Sequence, residues 1–109
     1  MNILKNLPLT ETTFYILLAL RESGHGYAVM QKVEELSGGK VRIAAGTMYG
    51  AIENLTNQKL IVPVRSEDAR RKMFQISEVG REVLALEVKR LKHLVQIYEE
   101  TEGHNNEKI

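Results

Sequence analysis

The sequence predicts a mainly α domain with one small β-hairpin and a long C-terminal helix. Three observations carry this expectation. Capping residues Thr10 and Ser77 stand directly ahead of segments rich in helix formers. Two short segments, Leu60–Val64 and Lys72–Ile76, flank a polar loop in the manner of a hairpin. Toward the C-terminus, Leu84, Val88, Leu91, Val95 and Tyr98 follow one another at alternating spacings of four and three, a heptad seam.

Taken in order, the first helix opens at Pro8–Thr10, with Glu11 in the first turn where the helix dipole favours a carboxylate. The run Phe14–Leu20 is apolar on nearly every side, so that helix must be buried on more than one face. A buried strand competes for the same run. The capping signal and the helix formers Leu17, Leu18, Ala19 and Leu20 favour the helix. After the break Ser23–Gly26, a second helix is expected from Gly26 to Leu36, with Tyr27, Met30, Val33 and Leu36 as its apolar stripe and Gly38–Gly39 as its stop. Lys40–Ile43 alternates and suggests one small strand.

The third helix is expected from Ala45 to about Gln58. Met48, Ile52 and Leu55 face the core, and Thr47, Gly50, Glu53, Asn54 and Asn57 face the other way. In the hairpin, Pro63 lacks a ladder donor and marks an edge or irregular strand. The loop Ser66–Ala69 leads into Arg70, Arg71 and Lys72, so the hairpin has a basic tip and flank. Ser77 caps the last helix, expected from Glu78 to about Glu100, with a frayed polar tail after it. A second stripe on this helix runs Val83, Leu86, Arg90, Leu94 and Ile97. One stripe can pack on the first helix. The other needs a partner, and the simplest is the same helix of a second copy related by a two-fold axis.

Composition narrows the function. The chain has 109 residues, enough for one domain, with 43% hydrophobic and 27% charged residues. Without cysteine, disulfides, thiol catalysis and thiolate metal sites are excluded. His25, His93 and His104 lie far apart and lack metal-ligand spacing, so each is expected to be a surface or capping residue, and no cofactor is expected. The longest apolar run, Phe14–Leu20, is far short of the roughly 20 residues that cross a bilayer. The N-terminus lacks the residue order of a signal peptide, and the expected compartment is the cytoplasm. No Ser/His/Asp set or phosphate-binding glycine loop supports an enzyme. Net charge is only +1, but its distribution is uneven: from Lys40 to Ile76, seven basic residues stand against three acidic ones.

Two helices joined by a turn, the second with an exposed polar face, followed by a basic hairpin, make a winged helix-turn-helix. A helix fits the major groove of DNA, where Asn54 can pair with adenine and Glu53 can accept from cytosine. Arg70, Arg71 and Lys72 on the wing suit phosphates or a minor groove. The expected organisation is a DNA-binding winged helix-turn-helix over 1–76, a dimerisation helix over 77–101 and a flexible tail over 102–109. A winged-helix adaptor that binds protein rather than DNA is the alternative, which Glu53 and the modest net charge leave open.

Three segments give the chain its resemblance to the short form of the PadR family of winged-helix transcriptional regulators. They are His25-Gly26-Tyr27, Gly46-Thr47-Met48-Tyr49, and the stretch from Arg70-Arg71-Lys72 through Phe74 to Gly80. The resemblance covers Leu9 to Tyr98. It implies a homodimer joined by the last helices, with wings and recognition helices straddling a pseudo-palindromic operator. It also implies repression, relieved by a small molecule or a stress signal. The candidate DNA contacts are Tyr27, Lys32, Gly46, Thr47, Tyr49, Gly50, Asn54, Arg65, Arg70, Arg71 and Lys72. Of these, Tyr27, Thr47 and Tyr49 rest on the resemblance. The candidate dimer residues are Phe14, Leu84, Val88, Leu91, Val95 and Tyr98, and the aromatics available to an effector pocket are Phe14, Tyr15 and Tyr98. Two departures stand out. Ala44-Ala45 replaces the Ser-Pro that often precedes Gly-Thr, removing the capping side chain and leaving free N–H groups that suit a phosphate. Glu53 sits where a basic or neutral residue is common.

Overall fold

The computed structural model describes residues 3–68 and 70–107. A 3-10 turn at Ile3–Asn6 leads into helices α1 (Glu11–Ala19), α2 (Gly26–Leu36) and α3 (Ala45–Asn57), strands β1 (Ile61–Val64) and β2 (Met73–Ile76), and helix α4 (Glu78–Glu107). The expected mainly α fold with a single hairpin is what the chain adopts.

The caps foreseen from the sequence have their partners. The Thr10 hydroxyl accepts from the Thr13 N–H at 3.0 Å, and the Ser77 hydroxyl accepts from the Gly80 N–H at 2.9 Å. At the end of α2, Gly38 takes a left-handed conformation (φ 64°), with the Gly38 N–H on the Glu35 carbonyl and the Gly39 N–H on the Glu34 carbonyl. The end of α3 repeats this pattern without a glycine. Lys59 has φ 63°, and the Lys59 and Leu60 N–H groups reach the Thr56 and Leu55 carbonyls at 3.0 Å each.

The core gathers Ile16 and Leu17 of α1 with its C-cap Leu20, Val29 and Val33 of α2, Met48, Ile52 and Leu55 of α3, Leu60, Ile61 and Ile76 of the hairpin, and Val83 and Leu84 of α4. Each fully buried aliphatic side chain contributes about 1.5–3 kcal/mol relative to exposure. The all-round apolar character of α1 is therefore explained. It lies between α2 and α4 and buries Ile16, Leu17, Ala19 and Leu20.

β1 and β2 pair antiparallel, with Ile61 opposite Ile76 and Pro63 opposite Phe74. Among the described residues, β1 pairs only with β2, so Pro63 sits on an edge strand as expected. β2 has a second neighbour: Gly24 and Phe74 exchange both backbone hydrogen bonds at 2.9 Å, and the Ile76 N–H reaches the Leu20 carbonyl at 2.8 Å. The turn between α1 and α2 is thus a third rail of the sheet, and it fixes the wing against the helices.

Several expectations are corrected. Among the described residues, no partner strand lies beside Lys40–Ile43, and it is not a strand. The Ser37 hydroxyl accepts from the Val41 N–H at 2.9 Å, and Arg42 pairs with Glu34, so the alternation marks a loop pinned to α2. On α2, Tyr27 is 61% exposed and Leu36 40% exposed, whereas Val29 and Val33 are buried. At about 100° per residue, Tyr27 projects from the side opposite Val29, and Leu36 sits in the last turn beyond its cover. Leu60 and Lys72 lie outside the strands. α4 continues past Glu100 to Glu107: no proline intervenes, and Gly103 lowers helix propensity without removing a backbone donor. Ala69 of the hairpin loop and Lys108–Ile109 of the tail are outside the described residues, as is the side chain of His104.

One buried charge was not foreseen. Glu87 of α4 is only 1% exposed, and its carboxylate accepts from the Leu9 N–H at 2.7 Å and from the Arg90 guanidinium through both Nε and Nη2. It ties the segment ahead of α1 to α4. The bonds from Arg90, aided by that from Leu9, hold the Glu87 carboxyl below the usual carboxylate range against the opposing effect of burial. Its stabilising contribution is therefore complete above the unfolded carboxylate range, and it is lost as pH falls through the lowered folded value. Glu87→Gln is expected to lower stability at neutral pH by about 1–3 kcal/mol. Urea titrations at neutral and acidic pH are expected to show that difference shrinking as pH falls; a constant difference would mean the carboxylate is not the stabilising form.

Candidate nucleic-acid interface

The interface is built where three elements meet. His25 ends the α1–α2 turn and starts α2, and its Nδ1 faces the Ala28 N–H at 3.4 Å in the N-cap position. Gly26 follows and is buried because the Tyr49 ring of α3 lies across it. A Cβ at Gly26 would stand 3.2 Å from Tyr49 Cε1, so glycine permits this close crossing of α2 and α3. β2 brings the wing alongside. The result is a cleft of about 950 Å³ lined by His25, Tyr27, Gln31, Tyr49, Glu53, Asn57, Arg70, Arg71, Lys72 and Phe74, among others.

The expected DNA contacts fall into two groups. Tyr27, Tyr49, Arg70, Arg71 and Lys72 converge on the cleft. Gly46, Thr47, Gly50 and Asn54 are exposed on α3, away from the buried Met48, Ile52 and Leu55, but they do not line the cleft; Tyr49, Glu53 and Asn57 are the exposed α3 residues that do. A Cβ at Gly46 or Gly50 would meet nothing within 4 Å, so this face is flat and open. α3 begins at Ala44 without a side-chain cap, and its first N–H groups lack such a partner. Lys32 and Arg65 are exposed but do not line the cleft.

The side chains are partly organised. Asp68 holds the wing tip: its Oδ1 accepts from the Arg70 N–H at 2.9 Å, and its carboxylate lies 3.5 Å from Arg70 Nε and 3.9 Å from Arg71 Nε. These arginines are 93% and 63% exposed, so the pairings are weak and can yield to another anion. At the C-cap of α3, the Gln58 amide N–H donates to Asn54 Oδ1 at 2.8 Å. Sequence reasoning missed Gln58, although its place four residues after Asn54 is the available signal. It also missed the cleft contributions of His25 and Asn57.

On α4, Leu84 is only 7% exposed and belongs to the chain's own core, which removes it from the surface available to a partner. Phe14, Val88, Leu91 and Val95 line an open groove of about 320 Å³. Tyr15 packs edge-on to Phe14 with ring centroids 6.4 Å apart, but neither Tyr15 nor Tyr98 lines that groove. The three aromatics therefore do not form one pocket within a single chain. From Leu91 onward both apolar stripes are open to solvent: Leu91, Leu94, Val95, Ile97 and Tyr98 are 39–65% exposed. Among the described residues, no helix is long and apolar enough to cross a membrane.

Residues 16–86 match the transcriptional regulator PadR-like family. The chain belongs to this family. The match spans the end of α1, all of α2 and α3, the wing and the start of α4, and it includes the three sequence segments that carry the resemblance. A Streptomyces fradiae protein, described only as an uncharacterized 37.1 kDa protein in transposon TN4556, is 36% identical over 73 residues; the match takes in 66% of this chain but 20% of that protein. Among solved structures, Bacillus subtilis PadR in complex with operator DNA is similar with a TM-score of 0.60 at 21% identity, over 72% of this chain and 46% of that one. Bordetella bronchiseptica BpsR, whose DNA binding is regulated by 6-hydroxynicotinic acid, gives a TM-score of 0.67 at 23% identity, over 86% of this chain and 66% of that one. These likenesses show the fold of a PadR-like winged-helix regulator with a long C-terminal helix.

Proposed function

We propose that this PadR-like regulator binds a pseudo-palindromic DNA operator as a homodimer in the cytoplasm and represses transcription. The observation that carries the reading is the shared side of α3 and the wing. Tyr49, Glu53 and Asn57 of α3 share one cleft with Arg70, Arg71 and Lys72, and Thr47, Gly50 and Asn54 are exposed further round the same helix. A duplex that took α3 into its major groove would meet these cations along its backbone. Gln58 donates to the Asn54 carbonyl, which keeps a second lone pair, so Asn54 retains both donor and acceptor capacity for a base edge. An effector that relieves repression would act from the groove beside Phe14, because that groove borders the exposed apolar face through which two copies would pair.

Fluorescence anisotropy on DNA from upstream of the protein's own gene tests this. Binding is expected to be specific and to weaken steeply with salt. Arg70→Ala together with Arg71→Ala is expected to weaken binding to all sequences and lower the salt slope by about 2, one for each lost phosphate contact. Asn54→Ala is expected to change sequence preference by about 1–3 kcal/mol at one base pair instead. Weak binding without preference, alongside capture of a defined protein partner, would replace this reading with the adaptor alternative.

A further inference from the structure

We infer that His25 is a positioning residue that latches the wing to α2 by accepting a hydrogen bond from Arg71, and so sets Arg71 in place for a phosphate. The contact links residues 46 positions apart: Arg71 Nη1 lies 3.2 Å from His25 Nε2. Among the described residues, it is the one hydrogen bond from the loop between β1 and β2 to the helices. The backbone explains why these two groups meet. Gly24 is bonded in both directions to Phe74 in an antiparallel bridge, so His25 is held level with Met73 at the start of β2, two residues from Arg71.

A guanidinium only donates, so the latch requires a lone pair on Nε2. The N-cap bond requires a lone pair on Nδ1, where the Ala28 N–H stands at 3.4 Å. A neutral imidazole has one lone pair for this purpose and one N–H, so His25 cannot accept both bonds at once. The Arg71 contact is the shorter, and its donor is charged, which makes it the stronger claim. The ring therefore carries its proton on Nδ1 and gives up the long cap bond. The groups around the ring are consistent with this choice: Arg70, Arg71 and Lys72 from the wing, Tyr27 from α2, and Tyr49 and Glu53 from α3 line the same cleft, while Asp68 approaches Arg71 Nε from within the wing at 3.9 Å. The latch fixes the Arg71 guanidinium from the side of the helices and leaves its other donors for a ligand in the cleft.

The tautomer is read in the free protein by nitrogen-15 chemical shifts of the His25 ring; the Nδ1–H form is expected, and the Nε2–H form overturns the latch. The consequence for affinity rests on the DNA-binding reading above, and failure of the wild-type chain to bind DNA would sink that reading while leaving the tautomer result standing. His25→Asn removes the latch and supplies an N-cap in its place, because asparagine is a good N-cap but too short to reach Arg71. It is expected to leave the thermal midpoint nearly unchanged and to weaken DNA binding about fivefold, the scale of one charge-assisted hydrogen bond at a partly exposed site. In an Arg71→Ala background the same substitution is expected to have no further effect on binding. An equal loss in both backgrounds, or no loss in the first, overturns the inference.

Discussion

Gly80→Ala is expected to destabilise the protein by about 3 kcal/mol, lowering Tm by about 15 °C. On an exposed helix the same change stabilises by up to about 1 kcal/mol, because glycine has the greater backbone entropy to lose. Here the sign reverses. Gly80 lies buried in the first turn of α4, where that helix crosses the foot of the wing. A Cβ at Gly80 would stand 2.1 Å from the Leu60 carbonyl oxygen and 2.8 Å from Ile76 Cγ1. The first of these is backbone, and it cannot rotate away. The Leu60 carbonyl also accepts from the Ser77 N–H at 3.0 Å, so moving it strains the start of α4 as well. Relief requires α4 to lift from the hairpin, opening the contacts of Leu60, Ile61 and Ile76 in the core. Gly50→Ala is the internal control: nothing lies within 4 Å of a Cβ there, so that variant is expected to gain stability. Urea denaturation of the two variants decides the matter, and a stable Gly80→Ala protein would contradict the close approach of α4 to Leu60.

The contrast between these two glycines shows what the sequence makes legible. Local signals were readable because their causes are local. His25 and Gly38 bracket α2 at Gly26–Leu36, and the spacing of Met48, Ile52 and Leu55 identifies the buried side of α3. The same holds for Pro63 on an edge strand and for the absent side-chain cap at Ala44. What stayed hidden depends on contacts between distant residues. The pairing of Gly24 with Phe74, the hold of Glu87 on the Leu9 N–H, and the approach of His25 to Arg71 leave no trace in spacing. Periodicity also misled where position along an element overrides it. Tyr27 and Leu36 keep the spacing of a buried stripe, yet one projects from the far side of α2 and the other stands past the end of its cover. Leu84 illustrates the same limit on α4. It keeps the heptad phase of Val95 and Tyr98, but it lies where the helix is still wrapped by its own domain. For the candidate interface, the basic wing and the polar side of α3 were readable as residue types. Their convergence on one cleft required the turn before α2 to join the sheet.

The second large effect concerns α4 itself. Val95→Asp is expected to convert a homodimer into a monomer and to weaken operator binding by about 100-fold or more, since one half-site then binds without the gain from its tethered twin. Every residue from Leu91 to Glu100 is exposed, and five of them are large and apolar: Leu91, Leu94, Val95, Ile97 and Tyr98. Both stripes of α4 continue into this stretch, so the uncovered face is broader than the single heptad seam suggests, and a continuous apolar face of this kind is a site of association. A two-fold interface is self-complementary, so one substitution alters it twice and places two new carboxylates in an apolar contact that would otherwise exclude water. Val95 is 54% exposed and outside the core, which means the change leaves the winged domain itself intact. Sedimentation velocity is expected to show the wild-type chain as a dimer and the variant at half that mass, with unchanged far-ultraviolet circular dichroism. The residual binding of the monomer is expected to keep the Arg70 and Arg71 dependence of the parent, because each wing grips its own half-site. A variant that stays dimeric would place the partner surface elsewhere. A wild-type chain that is itself monomeric would remove the two-fold operator from the proposal and leave α3 and the wing to act singly.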